Sequence, residues 1–315
     1  MIAFGPIPSR RLGRSLGINN IPPKVCTYSC VYCQVGRTTR MGVERQPFYA
    51  EEEIAEAVRA KVEGARAAGE SIDYLTFVPD GEPTLDVNLG REIELLRPLG
   101  IKIAVITNGS LLWRQDVRED LLQVDLVSFG VDSALQEPWR WVNRPHGALR
   151  LDDLLDGLLS FRDRFEGELI TETMLVRDVS DGQESVMAVA DFLARLGPDR
   201  AYLAIPTRPP AESWARPPNE DVFNRAYQLF HDKLDQVESL IGYEGTAFSS
   251  TGDVVEDLLS ITAVHPMRAD AVRALVARAE ADWDVVEALI EQERLVRTHH
   301  DGRAFYMRRL NKGRR

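Results

Sequence analysis

The chain has 315 residues, 44% hydrophobic and 28% charged, the balance of a globular protein long enough for one large domain or two. Its 38 basic and 49 acidic residues leave a net charge of −11, which argues against a broad phosphate-binding surface but not against a local one. No apolar run reaches the roughly 18 residues that cross a bilayer, and the start "MIAFGPIPSRR" lacks the layout of a secretion signal, so a cytoplasmic location with reduced thiols is expected.

In chain order, "SLGINNI" (15–21) reads as a first strand leading into a loop that holds all three cysteines, Cys26, Cys30 and Cys33. Residues 51–68 read as a helix with an acidic first turn. "YLTFV" (74–78) is a buried strand followed by a helix over 86–97, and "KIAVIT" (102–107) a strand followed by a short helix near 114–122. The same alternation continues with "DLVSFGVD" (125–132) and 150–164, "ELITETMLV" (168–176) and 182–196, "AYLAI" (201–205) and 219–238. Six strands alternating with helices over mostly short loops predict a parallel sheet with crossover helices.

From about residue 250 the pattern changes. "DVVEDLLSITAVH" and "RADAVRALVARA" read as helices, followed by a third helix and two strands, "LVRTH" and "RAFYMRR", joined at the Asp301-Gly302 turn. That is the outline of a winged helix, which divides the chain into expected domains 1–245 and 246–315. Residues 280–293 carry Glu280, Asp282, Asp284, Glu287, Glu291 and Glu293 with no basic residue, and such a helix repels phosphates in a major groove, so sequence-specific DNA binding is not expected. The wing and tail are basic, with Arg303, Arg308, Arg309, Lys312, Arg314 and Arg315, which leaves RNA or peptide contact open.

Three readings compete for the cysteines. Three thiols cannot all pair, and a reducing compartment disfavours disulfides. A structural zinc site takes four tetrahedral ligands, while His146, His231, His265, His299 and His300 all lie far off in sequence. The third reading is an iron–sulfur cluster with one iron free of protein ligands, a chemistry thiolates suit. The spacing Cys-x3-Cys-x2-Cys resembles the signature of the radical S-adenosylmethionine (SAM) superfamily. The resemblance implies a [4Fe–4S] cluster on Cys26, Cys30 and Cys33 whose fourth iron chelates SAM. It implies reductive cleavage of SAM to methionine and a 5′-deoxyadenosyl radical that removes hydrogen from a C–H bond, and an electron donor of flavodoxin or ferredoxin type. Tyr32 matches the aromatic that the family often sets against the adenine. The expected fold is a partial (β/α)6 barrel of parallel strands, with the chemistry at the C-terminal strand ends.

Polar segments do follow the predicted strands. "PDGEPTL" (79–85) resembles the family's Gly-Gly-Glu-Pro motif with Asp80 at the first glycine, which implies that Asp80, Gly81 and Glu82 hold the SAM amino group. A turn before a helix is the plain alternative. "TNGS" brings Thr107 and Asn108 towards SAM by the same resemblance. Asp132 and Ser133 are candidates for the ribose hydroxyls or the carboxylate end of SAM, against a helix cap. "WVNRPHG" supplies Asn143, Arg144 and His146 as substrate candidates. On the fifth strand either Glu172 or the pair Thr171 and Thr173 faces the cavity; an inward Glu172 is a candidate proton acceptor or SAM contact. Arg208, followed by Glu212 and Trp214, marks a substrate-facing loop. Arg10, Arg11 and Arg14 stand beside the first strand, either for an anionic substrate or solvated.

The array "PSRRLGRSLGIN", "CTYSCVYCQVGRTT", "DGEPTL", "NRPHG" and "PTRPPAE" resembles the Fe–S oxidoreductases grouped with the tRNA wyosine synthetases, over residues 5 to 245. No cysteine is left for a second cluster. The expectation is a one-cluster radical SAM oxidoreductase acting on a tRNA base, or alternatively on a peptide or small metabolite. A non-catalytic, metal-bearing regulator that binds nucleic acid is the competing class.

Overall fold

In the computed structural model, which describes residues 1–9, 11–240, 253–264, 266–300 and 302–309, β1 (Ala3–Ser9) and β2 (Gly13–Ile18) form an antiparallel hairpin. The two-residue strands β3 (Val25–Cys26) and β4 (Arg40–Met41) pair in parallel and bracket the cysteine loop. The crossover units then run α1 (Glu51–Ala67), β5 (Tyr74–Phe77), α2 (Leu89–Leu96), β6 (Lys102–Thr107), α3 (Gln115–Leu121) and β7 (Leu126–Gly130). They continue with α4 (Gln136–Asn143), α5 (Leu151–Arg162), β8 (Glu168–Met174), α6 (Gln183–Leu196), β9 (Arg200–Ala204), α7 (Glu220–His231) and β10 (Val237–Leu240). The large sheet has the order β1-β2-β5-β6-β7-β8-β9-β10, parallel throughout except for the first pair. It is the mostly parallel α/β sheet of a partial barrel, with β1 and β10 as its edges.

The six expected strands are all present, and two more flank them. β1 contains Gly5, Pro6 and Pro8, which break a strand pattern but are tolerated on an edge. β10 lies inside the stretch read as a helix over 219–238; α7 stops at His231, and the charged segment before Val237 turns the chain back to the sheet. One face of the sheet packs under the helices. The other carries Ala104, Leu126, Ile170 and Tyr202, closed over by Leu12 from the β1–β2 turn. One pleat further along these strands the same face presents Ile106, Ser128 and Glu172 to a cavity.

Beyond the sheet come α8 (Val254–Val264), β11 (Met267–Arg268), α9 (Ala269–Arg278), α10 (Asp284–Glu291), β12 (Leu295–His300) and β13 (Arg303–Arg308). The three strands form a separate sheet, β11-β13-β12, over their own apolar cluster, which includes Leu258, Leu275, Leu289 and Tyr306. This unit rests on the hairpin edge, where Ile7 packs against its cluster and Lys61 of α1 meets Glu256 at 3.5 Å. Arg10, His265, Asp301, Lys312, Arg314, Arg315 and the boundary near residue 245 lie outside the described residues. Among the described residues no helix is long and apolar enough to cross a membrane.

Under the barrel wall, Glu92 of α2 is fully buried beside Asp86 and Asn20. Burial first, then the charge of Asp86, push Glu92 well above the usual carboxylate range. A glutamate raised on folding contributes its full stability below the unfolded value of about 4.3 and loses it as pH climbs towards the folded one. Glu92→Gln is therefore expected to be more stable than wild type, with a Tm gain that grows between about pH 5 and about pH 9. Thermal melts across that range check it, and a pH-independent Tm difference would refute it.

Candidate active site

The loop after β5 is zipped to the chain just before the first cysteine. Lys24 N–H donates to the Asp80 carbonyl at 2.7 Å, and Glu82 N–H donates to the Val25 carbonyl at 3.1 Å. A Cβ on Gly81 would sit 1.9 Å from that Val25 oxygen, so only glycine lets the two backbones approach this closely. Arg45, itself buried, ties the following turn to α3: it donates to the carbonyls of Thr84 (3.0 Å) and Asp86 (2.6 Å) and pairs with Asp116 and Asp120.

Glu82 is 1% exposed and its carboxylate organises two strand ends. Oε1 accepts from Thr84 N–H (3.1 Å), Thr84 Oγ1 (2.6 Å) and Thr107 Oγ1 (2.6 Å), while among the described residues Oε2 accepts only from Asn108 N–H (2.9 Å). Burial raises its pKa, and these four donors lower it. Asn108 in turn donates to Thr27 Oγ1 at 2.9 Å and approaches Cys26 Sγ at 3.7 Å. The motif after β5 and the turn after β6 are thus joined to each other and to the cysteine loop.

Asp132, after β7, is a second hub and is 4% exposed. Its Oδ2 accepts from Tyr32 OH and from Asn143 Nδ2, both at 2.5 Å, and its Oδ1 from Met174 N–H at 2.9 Å. Burial is the main cause that brings its pKa up to about 6. Asn143 also donates to Cys30 Sγ at 3.5 Å. The end of α4 clamps the cysteine loop through its backbone: Ser29 N–H donates to the Asn143 carbonyl (3.0 Å), Val31 N–H to Val142 (2.9 Å) and His146 N–H to Thr27 (2.9 Å). Tyr28 packs edge-on to Trp139, which donates to its hydroxyl at 3.1 Å.

A cavity of about 390 Å³ opens between these loops and the sheet. The structure brings Cys26, Cys30, Cys33, Tyr32, Asp80, Gly81, Glu82, Thr107, Asn108, Asp132, Glu172 and Arg208 to its wall. It does not place Asn143, Arg144 or His146 there. Arg144 instead pairs with Glu212 at 2.5 Å over the Trp214 ring, and His146 Nδ1 accepts from Ala148 N–H at 3.2 Å in its own turn. Ser133 accepts from Leu135 N–H at 2.9 Å. On β8 it is Glu172 that faces the cavity, whereas Thr173 donates to the Val131 carbonyl at 2.9 Å. Glu172 meets Arg11, which also reaches Ser128 at 3.4 Å, so Arg11 is a cavity residue. Arg14 pairs outside the cavity with Glu70 at 2.6 Å. Arg208 donates to Gln34 at 2.7 Å.

Sequence reasoning missed Lys24, Thr27, Gln34 and Arg45. Thr27 and Gln34 flank the cysteines and were open to notice. Lys24 stands two residues before Cys26, but its contact with Asp80 comes from the fold; Arg45 acts across the chain, and nothing local marks it. Lys24 has φ +66°, and its Nζ is shielded from solvent with no hydrogen-bond partner. Burial lowers its pKa, while Cys33, Asp80 and Cys26, in that order, raise it.

The donor set fits an iron–sulfur cluster. The three cysteines are free thiols, and burial pushes all of them up, Cys26 to about 12, so a bound cation is what would ionise them. Among the described residues no three Cys, His, Asp or Glu side chains converge on a single ion, as zinc requires. A cubane needs no such convergence, because each thiolate takes its own iron. N–H groups from Tyr28 (3.5 Å) and Asn108 to Cys26, and from Asn143 to Cys30, supply hydrogen bonds to the sulfurs.

Residues 20–193 match the radical SAM superfamily. The chain is 46% identical to the UPF0026 protein MJ1312 of Methanocaldococcus jannaschii, over 98% of this chain and 96% of that one. It is 35% identical to the GTPase Obg of Brachyspira hyodysenteriae over 92% of this chain, which spans 42% of that protein. Among solved structures it resembles a radical SAM methyltransferase from Sphaerobacter thermophilus (TM-score 0.57, 18% identity, 72% of this chain and 66% of that one). It also resembles TYW1 with a lysine-pyruvate adduct bound (TM-score 0.53, 14% identity, 70% and 74%). Enzymes of this superfamily use a [4Fe–4S] cluster and SAM. By the superfamily match over more than half its length and by its full-length relative, the chain belongs to the radical SAM superfamily and to the UPF0026 family.

Proposed function

We propose that this radical SAM enzyme binds one [4Fe–4S] cluster through Cys26, Cys30 and Cys33 and acts as an oxidoreductase on a substrate C–H bond. The observation that carries the reading is the cavity itself, in which three half-buried thiols share a wall with the Glu82 carboxylate and the Thr107–Asn108 turn. When bound, the cluster and SAM supply reductive cleavage to methionine and a 5′-deoxyadenosyl radical that takes hydrogen from the substrate. Glu82 Oε2, with only one donor, has room for the SAM ammonium. Asp80, Gly81 and Asn108 shape the same end. Asp132 fixes Tyr32 beside the adenine position and holds Asn143 on Cys30. Arg11, Glu172 and Arg208 line the substrate end, while Arg144 and His146 position the cysteine loop from outside the cavity.

The proposal extends to a flavodoxin- or ferredoxin-type electron donor, a cytoplasmic location, and a tRNA base as substrate. The C-terminal order helix, strand, helix, helix, strand, strand is read as a winged-helix-like domain, with the chain dividing into 1–245 and 246–315. Its hairpin exposes Arg297 and Arg303, whereas α10 carries Asp284, Glu287 and Glu291, which favours RNA contact through the hairpin. A peptide or small metabolite is the second reading, supported by the Arg11–Glu172 pair inside the cavity.

The test is anaerobic reconstitution, reduction with dithionite, and assay of 5′-deoxyadenosine and methionine from SAM, beside Cys30→Ala. Wild type is expected to form both and the variant to fall to background with its iron lost. Hypomodified tRNA is expected to raise 5′-deoxyadenosine yield; stimulation by a peptide or small-molecule extract instead would select the second reading. A protein that holds zinc and ignores SAM would sink the proposal.

A further inference from the structure

We propose that Lys24 is the fixed cation of the cysteine loop, a positioning residue whose ammonium compensates the negative charge of the cluster and raises its reduction potential. The inference deepens the one-cluster reading above and rests on it.

Two independent features single this residue out. The first is its backbone. At φ +66° Lys24 occupies the left-handed region, which strains a residue with a Cβ and does not strain glycine. A residue chosen only to turn the chain here would be glycine, so what the position gains for its strain is the side chain. The second is where that side chain goes. Its Nζ is buried without a hydrogen-bond partner and lies beside the turn that follows Cys33, where a Cβ on Gly36 would stand 3.4 Å from it. An ammonium out of water with no partner costs several kcal/mol unless an anion faces it. The groups of opposite charge that face it are Cys33, Asp80 and Cys26. Asp80 makes no ion pair with it and leaves its own buried Oδ1 without a donor. The remaining anion is the one that the thiolates and their iron would bring.

Physics then gives the sign. A cluster on three thiolates becomes more negative when it takes an electron, and net charge and burial are among the factors that set cluster potentials. A cation held in a low-dielectric wall stabilises the reduced form over the oxidised one. The backbone of Lys24 also keeps this charge in register. Its N–H donates to Asp80 at 2.7 Å, and its carbonyl accepts from Thr39 (3.2 Å) and Arg40 (3.1 Å), where the chain returns from the cysteine loop.

The experiment compares wild type with Lys24→Met, Lys24→Gly and Lys24→Arg after anaerobic reconstitution. It measures iron and sulfide content, Tm, and the midpoint potential by a titration followed by electron paramagnetic resonance. Lys24→Met and Lys24→Gly are expected to shift the reduction equilibrium at least tenfold towards the oxidised cluster, about 59 mV for one electron. Lys24→Arg is expected to stay within about threefold of wild type. Lys24→Gly relieves the backbone strain, so its Tm is expected to stay at or above that of wild type. If both neutral variants lose iron and Lys24→Arg keeps it, the requirement for positive charge is upheld. Full iron and an unmoved midpoint in either neutral variant overturn the proposal, as does equal loss of iron in all three. A wild-type protein that assembles no cluster refutes the cluster reading instead, which keeps the two failures apart.

Discussion

Gly81→Ala is expected to abolish SAM cleavage while leaving most of the barrel folded. The new methyl would need the space of the Val25 carbonyl oxygen, 1.9 Å away, with Ile21 Cδ1 at 2.9 Å behind it. Neither neighbour can yield cheaply. Val25 O is the acceptor for Glu82 N–H, and Val25 is one residue from Cys26, so moving it breaks the zipper and shifts the first thiol together. Overpacking of this kind costs about 1–3 kcal/mol or more, and the strands themselves are held by their ladders to their neighbours. Circular dichroism is therefore expected to show a folded protein with a lower Tm. Iron content is expected to fall, and 5′-deoxyadenosine formation to drop at least about hundredfold, because a positioning error near 1 Å suffices for that. Normal SAM affinity and cleavage in the alanine variant would show that the close approach is not needed.

The same contact explains what was legible in the sequence and what was not. The strand–helix alternation announced a parallel sheet, because each buried strand is a short apolar run between amphipathic helices, and every such strand is present. The cysteine spacing and "DGEPTL" were legible because both are local, and a local motif survives being read without a fold. The edge strands were not. β1 hides behind Pro6 and Pro8, and β10 behind a polar stretch whose strand identity comes only from pairing with β9. Long-range partners were equally hidden. Arg11 and Glu172 lie 161 positions apart and meet only because the β1–β2 turn folds into the barrel. "NRPHG" was read as a substrate segment because its side chains are polar. Its backbone groups, together with the Asn143 amide on Cys30, are what touch the cysteine loop, and a sequence carries no mark for a carbonyl's direction.

Asp132 and Glu82 look alike in sequence, single carboxylates at strand ends, yet the structure separates their chemistry. Asp132 accepts from three donors spread over both oxygens and has the geometry of a brace for Tyr32, Asn143 and Met174. Glu82 crowds three donors onto Oε1 and leaves Oε2 with one. The asymmetry is what suits Glu82 to a cationic ligand: one oxygen anchors the loop and the other is open to an ammonium.

Glu82→Gln is therefore not a conservative change. An amide has one accepting oxygen and one NH2, and Glu82 faces two main-chain donors, Thr84 N–H on one oxygen and Asn108 N–H on the other. Whichever way the amide is turned, its NH2 opposes one of them. The hydroxyls of Thr84 and Thr107 can rotate to compensate, but an N–H of the backbone cannot. One buried donor left unsatisfied costs about 1–3 kcal/mol, and the charge that attracts the SAM ammonium is lost as well. SAM affinity, measured by equilibrium dialysis on the reconstituted protein, is expected to fall at least about thirtyfold, by the sum of these two effects. Iron content is expected to stay near wild type, because the hydrogen bonds of Glu82 go to Thr84, Thr107 and Asn108 and not to a thiol. Glu82→Asp, which keeps the charge but shortens the reach, is expected to lose affinity too, since the carboxylate can no longer span Thr84, Thr107 and Asn108 together. Wild-type affinity in Glu82→Gln would move the ammonium site elsewhere on the cavity wall, with Asp80 as the nearest carboxylate in sequence to take it.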